Sequence, residues 1–514
     1  MRFFIKIKYD MKKRIITIFI LSAFAIKATA QDENDALRFG MSQYFGTARG
    51  MAIGNATGSI GGDFSTLSVN PAGIGIYRKS EFSFTPNFSN AKNESTYLNE
   101  NMSDRKSKLH FAQVGLVITN AKKGNAAKRS AWKTGSFAFG MNKIANFSNN
   151  YSYTGKNNLN SIVNKWANDI NALGGFSSLA NANYSAYAAY QTYLIDKNFA
   201  GDTTKVKSYV PTAAGLQQTK QVFETGGMNE VVFTAGGNYL DKLMLGATLG
   251  ITSINYNRSF NFEERDLSGN LSNDFSSFQY TEKLATSGTG VNLKLGAILK
   301  ASDNFRFGLA LHTPTAIFLD DFSSIVMTSN TDSLLTRNNP SASPITTFKQ
   351  DSVLIYNYTL YTPGKVIGSF TLLFNKKGFL TADIEYLDYS SMTYRFEDAD
   401  FLAESSMNNT IQKTYKSAVN VRVGAEAKLQ DVSLRAGFAF YGSPYQSTVV
   451  NSDRLLFSLG TGYRTNTWFL DGAFVHSMQK IAEKPYVLNN LNDVSNAIIK
   501  NNSSQLLITL GWKF

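Results

Sequence analysis

From about residue 80 onward, apolar and polar positions alternate with period two over long stretches. In Ser504–Phe514, Leu506, Ile508, Leu510, Trp512 and Phe514 share one face, and Leu507, Thr509, Gly511 and Lys513 share the other. Ala418–Leu429 sets Val419, Val421, Val423, Ala425, Ala427 and Leu429 against Asn420, Arg422, Gly424, Glu426 and Lys428. Asp431–Tyr441 and Arg454–Arg464 repeat the pattern, the first with Leu434 and Phe438 opposite Ser433 and Arg435. Successive side chains of a strand point to opposite faces, so these stretches predict strands with one apolar face and one polar or glycine face. The candidate strands are 80–90, 109–119, 134–144, 229–239, 243–257, 288–300, 304–313, 365–375, 378–389, 417–429, 431–441, 453–464, 467–477 and 504–514. Most soluble strands are only ~5–6 residues long.

The connections alternate in length as well. Short ones at 120–133, 240–242, 301–303, 376–377, 430 and 465–466 interleave with longer ones at 91–108, 145–228, 258–287, 314–364, 390–416, 442–452 and 478–503. A half-buried soluble sheet also alternates, but it has no reason to sort loop length by strand parity. An outer-membrane barrel does, with short periplasmic turns, long extracellular loops and aromatic girdles, here Tyr463, Trp468 and Trp512. The expected fold is all-β: a transmembrane antiparallel β-barrel of about 14 strands over 80–514, with long extracellular loops at 145–228 and 314–364.

Composition narrows the chemistry. Charged residues make up 17% of the chain, against about 25% in soluble domains, while Phe and Tyr are abundant. The absence of cysteine excludes disulfides, thiolate metal sites and cysteine nucleophiles. At the N-terminus, Lys12-Lys13-Arg14 precede an apolar run from Ile15 to Ile26, followed by Ala28-Thr29-Ala30. That is the layout of a secretory signal peptide over 1–30, cleaved after Ala30, with Met11 as an alternative start; the run is too short to cross ~30 Å of hydrocarbon. Gln31 follows the cut, so no lipoprotein is expected. Removing the seven basic residues and one acidic residue of this segment lowers the net charge from +13 to +7. The remaining charge is dispersed, and no nucleic-acid partner is expected.

Residues 31–79 do not alternate. Gly46, Gly50, Gly54 and Gly58 recur every fourth position, followed by Gly61-Gly62 and then Asn70-Pro71-Ala72-Gly73. On a helix the four glycines would form a flat strip, but Arg49 and Asn55 interrupt it and no apolar span surrounds it, which argues against a membrane dimerisation face. A flexible linker is one alternative. A plug inside the barrel is the expected arrangement, with the glycines packed against the lumen wall and Phe64, Leu67, Val69, Ile74 and Ile76 supplying apolar contacts.

This segment, Phe45–Tyr77, resembles the N-terminal hatch of the FadL/TodX-type outer-membrane transporters, in which a glycine-rich stretch leads to an Asn-Pro-Ala motif, here Asn70-Pro71-Ala72. The resemblance continues through Thr362–Met392, with Thr362-Pro363-Gly364-Lys365 and Ala382-Asp383-Ile384-Glu385-Tyr386, and through Val421–Tyr445. It implies a 14-stranded barrel in the outer membrane of a Gram-negative bacterium, containing a hatch that gates the lumen. It also implies passive uptake of hydrophobic small molecules of the long-chain fatty-acid or hydrocarbon kind. Capture would occur at extracellular loops and release laterally, through a strand kink. The partners implied are the apolar ligand and outer-membrane lipids, with no cofactor. The apolar C-terminal strand, with Leu510, Trp512 and Phe514, resembles the signal read by the barrel assembly machinery. Loop 145–228 departs from the family, being rich in Asn, Ala, Ser and Tyr with little obvious apolar face.

No catalytic constellation accompanies this. There is no G-x-S-x-G elbow and no H-E-x-x-H, and His110, His312 and His476 read as barrel-rim or interface histidines, with no metal site or haem pair expected. Asp320-Asp321, in a loop, reads as a calcium ligand pair or, more simply, a solvated turn. Asp383, Glu385, Arg422, Glu426 and Arg435 fall on lumen faces, where they would either orient a ligand carboxylate or pair with one another and hold the plug. Two other functions fit a plugged barrel: a non-transporting scaffold for secretion or surface attachment, and a general porin, which the plug would obstruct.

Overall fold

The computed structural model describes residues 33–514 apart from 42, 44, 200, 338, 351–352, 376, 398–400, 448 and 489–493. The signal peptide and its cleavage site lie outside the described residues. Fourteen antiparallel strands form one sheet: β1 (Glu81–Tyr97), β2 (Glu100–Ala121), β3 (Trp132–Asn146, continued by Asn149–Asn157), β4 (Leu216–Tyr239), β5 (Leu243–Asp266) and β6 (Ser277–Lys300), then β7 (Phe305–His312, continued by Ala316–Asn330) and β8 (Leu354–Tyr361, continued by Lys365–Leu373). They are followed by β9 (Gly378–Asp388, continued by Thr393–Phe396), β10 (Ser417–Leu429), β11 (Val432–Tyr441), β12 (Arg454–Arg464), β13 (Trp468–Glu483) and β14 (Ala497–Lys513). β14 pairs back on β1 from Glu81↔Lys513 to Thr96↔Ile498, closing the barrel. Closure leaves no unpaired sheet edge, which a bilayer would not tolerate.

The alternation sorts the faces as the sequence pattern requires. Val419, Val423, Leu434, Phe438, Leu459, Ile508 and Trp512 lie exposed on the outside, while Asn420, Arg422, Ser433, Arg435 and Thr509 are buried in the lumen. An exposed apolar belt on a closed wall is a lipid-facing surface. Aromatic pairs rim it beside the short turns: Trp132 with Tyr239 at 5.4 Å, and Tyr463 with Trp468 at 5.5 Å. Among the described residues no helix is long and apolar enough to cross a membrane.

Several strands run further than their apolar alternation. β1 and β2 meet at a tight turn, Leu98-Asn99, and the ladder holds through Asn93↔Asp104 to Tyr97↔Glu100, inside the stretch 91–108 expected as loop. Beyond the bilayer no apolar face is needed, so the pattern fades while the hydrogen-bond register carries on. Ala316–Asn330 and Leu354–Tyr361, inside the expected loop 314–364, are likewise strand. They are separated from the lower halves of β7 and β8 by breaks at Thr313-Pro314-Thr315 and Thr362-Pro363-Gly364, where proline cannot donate to the ladder. The two breaks lie side by side, joined by Thr362 N donating to Thr315 O at 3.0 Å. Asp320 and Asp321 are therefore strand residues and not a loop turn; Asp321 is buried and accepts from Thr286 Oγ1 at 2.5 Å and Tyr358 OH at 3.0 Å.

The segment between β3 and β4 is a small cap with its own core, a correction to the reading of 145–228 as lacking an apolar face. Helix Ile162–Ala172 buries Ile162, Val163, Trp166, Ala167 and Ile170, one helical stripe. Trp166 packs edge-on against Phe278 at 5.8 Å and Tyr280 at 5.4 Å, both on the extension of β6 at the long-loop end. Ser161 caps this helix, and the buried Glu264 of β5 accepts from Ser161 Oγ and, at 3.0 Å, from Ile162 N. A carboxylate at a helix N-terminus satisfies the amides that have no partner within the helix.

Candidate functional site: lumen, hatch and wall opening

The described residues of 33–77 occupy the lumen as helix α1 (Glu33–Gly40), helix α2 (Ala48–Ala52) and two short 3₁₀ turns, Phe64–Ser68 and Pro71–Ile76. Local chemistry builds each piece. Thr47 caps α2 by accepting from Gly50 N, and its hydroxyl donates to Asp63 at 2.7 Å; Asp63 in turn caps the first 3₁₀ turn. The four glycines do not share a helix, because α2 ends at Ala52 and Gly54 and Asn55 take φ of +64° and +58°. Gly46 and Gly50 abut Ser65 within the hatch, whereas Gly54 and Gly58 press against the wall at Phe438 and Ser369. Gly54 has no room for a side chain, since a Cβ there would sit 2.9 Å from Phe438 O. Phe64 and Leu67 pack with Ile74 and with Val117, Ala138 and Val232 of the wall; Val69 meets Ala310 and Ile367.

Asn70 is the most connected residue of its motif. Its Oδ1 accepts from Ala72 N at 3.1 Å, capping the second 3₁₀ turn, which Pro71 begins. Its Nδ2 donates to Gly58 O at 2.7 Å and to Ala297 O of β6 at 3.2 Å. Ala72 packs on Met244 and Ile298, and Gly73 O accepts from Gly62 N at 3.1 Å. The motif thus joins two hatch segments to the wall, near the short-turn end of the barrel.

An ionic layer surrounds this part of the hatch. Arg49 reaches Glu426 at 3.1 Å; Arg435 bridges Glu426 at 2.6 Å and Asp471 at 2.7 Å; Arg464 meets Asp471 at 2.6 Å. Arg422 pairs with Glu385 at 3.2 Å and Asp383 at 3.4 Å, while Asp383 also accepts from Gly58 N at 3.1 Å. The five lumen charges singled out in the sequence therefore pair with one another and hold the hatch. Burial works against the Arg49 charge, yet Glu426, Asp63 and Asp471 more than offset it and its pKa is raised. Lys294 pairs with Glu230 nearby. His312 is not at the rim: its Nε2 contacts Val69 O of the hatch at 2.9 Å. His476 Nδ1 meets Ser504 Oγ at 3.0 Å.

Toward the long-loop end the lumen turns apolar. Met228, Ile254, Tyr256, Leu284, Ile317, Leu360 and Tyr394 form one buried chamber, into which α1 inserts Leu37 and Phe39. Phe39 lies edge-on to Phe147 at 5.9 Å and Tyr256 at 6.1 Å. A small cavity of about 70 Å³ borders this chamber, with Phe39, Gln43, Phe45 and Ile144 among its lining.

Ile144 marks a break in the wall. The β2–β3 ladder runs from Ala121↔Thr134 to Gln113↔Asn142 and stops, although β2 continues for thirteen more residues to Glu100. On its other side β3 shifts register against β4 between Lys143 and Ala145, so that Ile144 bulges. The freed Ile144 carbonyl accepts from Gln43 N of the hatch at 3.2 Å. Past the bulge β3 leans inward: Asn146 Nδ2 reaches Ser89 Oγ on β1 at 3.3 Å, and Ser152 Oγ reaches Asp104 on β2 at 2.6 Å. Hatch residue Phe45 stands edge-on to His110 of β2, 5.9 Å away, directly at the end of the ladder. Gln43, His110, Lys143 and Ile144 were not read from the sequence as belonging to one site. The available signal was Lys143, a cation at an outward position of an otherwise apolar run.

A closed barrel with a lipid-facing belt, short turns at one end and a lumen filled by its own N-terminal segment is a transport barrel of the outer membrane. The chain belongs to the family of outer membrane protein transport proteins (OMPP1/FadL/TodX), which matches residues 34–494. The family is one of channels, and its fold is that of hydrophobic-compound transport. Similar solved structures include a Pseudomonas aeruginosa FadL homologue, at TM-score 0.55 and 14% identity over 92% of this chain and 100% of that one. The Pseudomonas putida toluene transporter TodX aligns at TM-score 0.48 and 12% identity, over 92% of this chain and 99% of that one. The CymD monoaromatic hydrocarbon channel does so at 0.48 and 11%, over 91% and 97%. At these identities the likeness is one of fold. No curated protein matches the chain.

Proposed function

We propose that this protein takes up hydrophobic small molecules of the long-chain fatty-acid or hydrocarbon type, passively, and releases them sideways into the bilayer. The observation that carries the reading is the contrast between the two ways out of the apolar chamber. Toward the short turns lies a layer of buried ion pairs and hydrogen-bonded hatch, in which an apolar solute would have to displace charged partners, at several kcal/mol for each charge left unpaired. Sideways lies the β2–β3 gap, where the ladder has already stopped at Gln113↔Asn142 and, among the described residues, no further β2–β3 pair has to be broken. The cap on the extracellular side is the candidate capture surface, and α1 occupies the chamber that a ligand would enter. Asn70, Pro71, Ala72 and Gly73 are the proposed gating element, since they tie the hatch to β6 while Gln43 ties it to the β3 bulge. Residues 31–79 act as the hatch and 1–30 as the signal peptide. Outer-membrane lipids wet the belt, including a groove of about 790 Å³ lined by Gly135, Ala235, Gly237 and Ala247. The C-terminal Leu510, Trp512 and Phe514 engage the assembly machinery.

The test is to close the gap reversibly. The chain contains no cysteine, so Phe111→Cys with Ile144→Cys, on an exposed and a half-buried position flanking the gap, can be joined across β2 and β3 by a short, reducible bifunctional thiol reagent. Uptake of radiolabelled hexadecane should be lost on cross-linking and return on reduction. Undiminished uptake through the bridged barrel would rule out lateral release.

A further inference from the structure

The outer wall is hollowed across β3–β6 near the short turns, on a belt that large side chains otherwise fill. One outward row across these strands is Phe139, Phe233, Leu249 and Leu293. The next two rows towards the turns carry Ala235 and Ala247, then Gly135 and Gly237, flanked by Trp132 and Leu295. They leave a groove of about 790 Å³, within the ~300–1,000 Å³ of small-ligand sites. The inward glycines of this wall are explained by the hatch behind it. A Cβ on Gly236 would strike Ile74, one on Gly246 the Pro71 carbonyl, and one on Gly296 the Asn70 side chain. Outward Gly135 has no such reason: a Cβ there would meet nothing within 4 Å. Nothing in the chain itself requires a glycine at that place on the lipid face.

The groove opens on the β2–β3 turn, with Asn120 and Lys122 in its lining. Residues 120–135 hold five cations, Lys122, Lys123, Lys128, Arg129 and Lys133, and no carboxylate. The helix of this turn, Gly124–Arg129, buries no residue, so packing does not account for it. Lys122 Nζ donates to Ser130 Oγ at 2.6 Å and Lys133 Nζ to Ala127 O at 2.7 Å; among the described residues none of the five meets a carboxylate. At neighbouring short turns Arg78 meets Asp241 at 2.6 Å and Lys300 meets Asp303 at 2.8 Å. Short turns of an outer-membrane barrel face the periplasm, so this rim lies at the head groups of the phospholipid leaflet and not of lipopolysaccharide. Clustered Lys and Arg beside an apolar groove fit a ligand that joins an acyl chain to a head group of net negative charge.

We propose that the groove binds one anionic phospholipid of the periplasmic leaflet, its acyl chain lying over Gly135, Ala235 and Ala247 and its phosphate held by Lys122 and the other cations of the β2–β3 turn. The site lies on the lipid side of the wall, apart from the chamber, and does not depend on the lateral-uptake reading.

The experiment places the full-length protein in phosphatidylcholine liposomes with a graded mole fraction of phosphatidylglycerol or of phosphatidylcholine whose acyl chains are brominated, a contact quencher of tryptophan. The signal of Trp132, in the groove, is the difference from Trp132→Phe. That of Trp512, on the same rim but outside the groove, is the difference from Trp512→Phe. Trp132 should be half-quenched at an about tenfold lower fraction of phosphatidylglycerol than of phosphatidylcholine, the scale of one or two basic residues, and Trp512 at fractions within about twofold. Lys122→Gln combined with Lys133→Gln should bring the Trp132 ratio towards one. Gly135→Leu, which fills the groove and leaves every cation in place, should do the same; Ala247→Phe takes its place if that variant gives no heat-modifiable folded protein. Equal half-quenching of Trp132 by the two lipids overturns the site. So does a preference as large at Trp512, which is general attraction to a basic rim, or a wild-type ratio in the groove-filling or double lysine variant.

Discussion

Val423 and Leu434 both point into lipid, yet their surroundings differ in a way that the alternation alone does not reveal. Val423 pairs with Phe438 well inside the wall, whereas Leu434 sits two residues past Val432, beside the short turn between β10 and β11. Charge on a barrel's lipid face costs about 2–4 kcal/mol at the bilayer midplane and roughly 0–1 kcal/mol near an interface. Val423→Arg should therefore destabilise the barrel by about 2–4 kcal/mol and Leu434→Arg by much less, read from denaturant folding titrations in lipid. Equal costs would contradict the depth assigned to the two positions. The inward neighbours are not the tolerant sites that a water-filled lumen would make them. Ser433 is 1% exposed, and Asn420 donates to Glu385 at 2.8 Å inside the lumen network. At this scale the sequence showed which way each side chain points, because period two determines it. What each inward residue touches was hidden, because the partner comes from another strand or from the hatch, 35 positions away for Asn420 and Glu385 and 377 for Glu426 and Arg49.

Strands were legible where the bilayer imposes an apolar face and illegible where it does not. β1 and β2 rise past it as the polar run 90–108, in which only the ladder, not hydrophobicity, holds the pairing. The cap was missed for a different reason: its apolar stripe is short and spaced for a helix, so it disappears in a search for period-two alternation. Its core joins Trp166, Val163 and Ile170 to Phe262, Phe278 and Tyr280 of the barrel extensions, and Tyr486 of the β13–β14 loop packs edge-on to Phe262 at 6.0 Å. Since these contacts lie beyond the lipid-facing belt, replacing 158–215 with a short turn should leave membrane insertion and the fourteen-strand barrel intact. Uptake of hexadecane at low external concentration should fall, with less effect at saturating supply, if the cap concentrates ligand at the mouth. Unchanged uptake at low concentration would remove the cap from capture.

Barrel and hatch behave as two bodies with different kinds of cohesion, and this separates stability from gating. The barrel closes on itself through fourteen ladders and depends on the hatch for none of them. The hatch is held instead by side-chain and backbone ties to the wall, among them Arg49 to Glu426, Gly58 to Asp383, Gln43 to the β3 bulge, Ala48 to Thr509, Val69 to His312, and Asn70 to β6. The Asn-Pro-Ala-Gly motif was visible in the sequence because it breaks every periodic pattern around it. The bulge in β3 was not, because a single residue out of register leaves no mark that a loop would not also leave. Asn70→Ala removes a cap worth about 1 kcal/mol and two further hydrogen bonds of roughly 1 kcal/mol each, one within the hatch to Gly58 O and one to Ala297 O of the wall. Barrel stability in a folding titration should thus stay within about 0.5 kcal/mol of wild type, as for changes that touch no strand pairing. Hexadecane uptake and planar-bilayer conductance should both change, since a loosened hatch alters the chamber and its seal together. If conductance rises while uptake stays at the wild-type rate, the motif is an anchor and not a gate. If neither changes, the remaining ties suffice to hold the hatch, and Asn70 has no part in the mechanism.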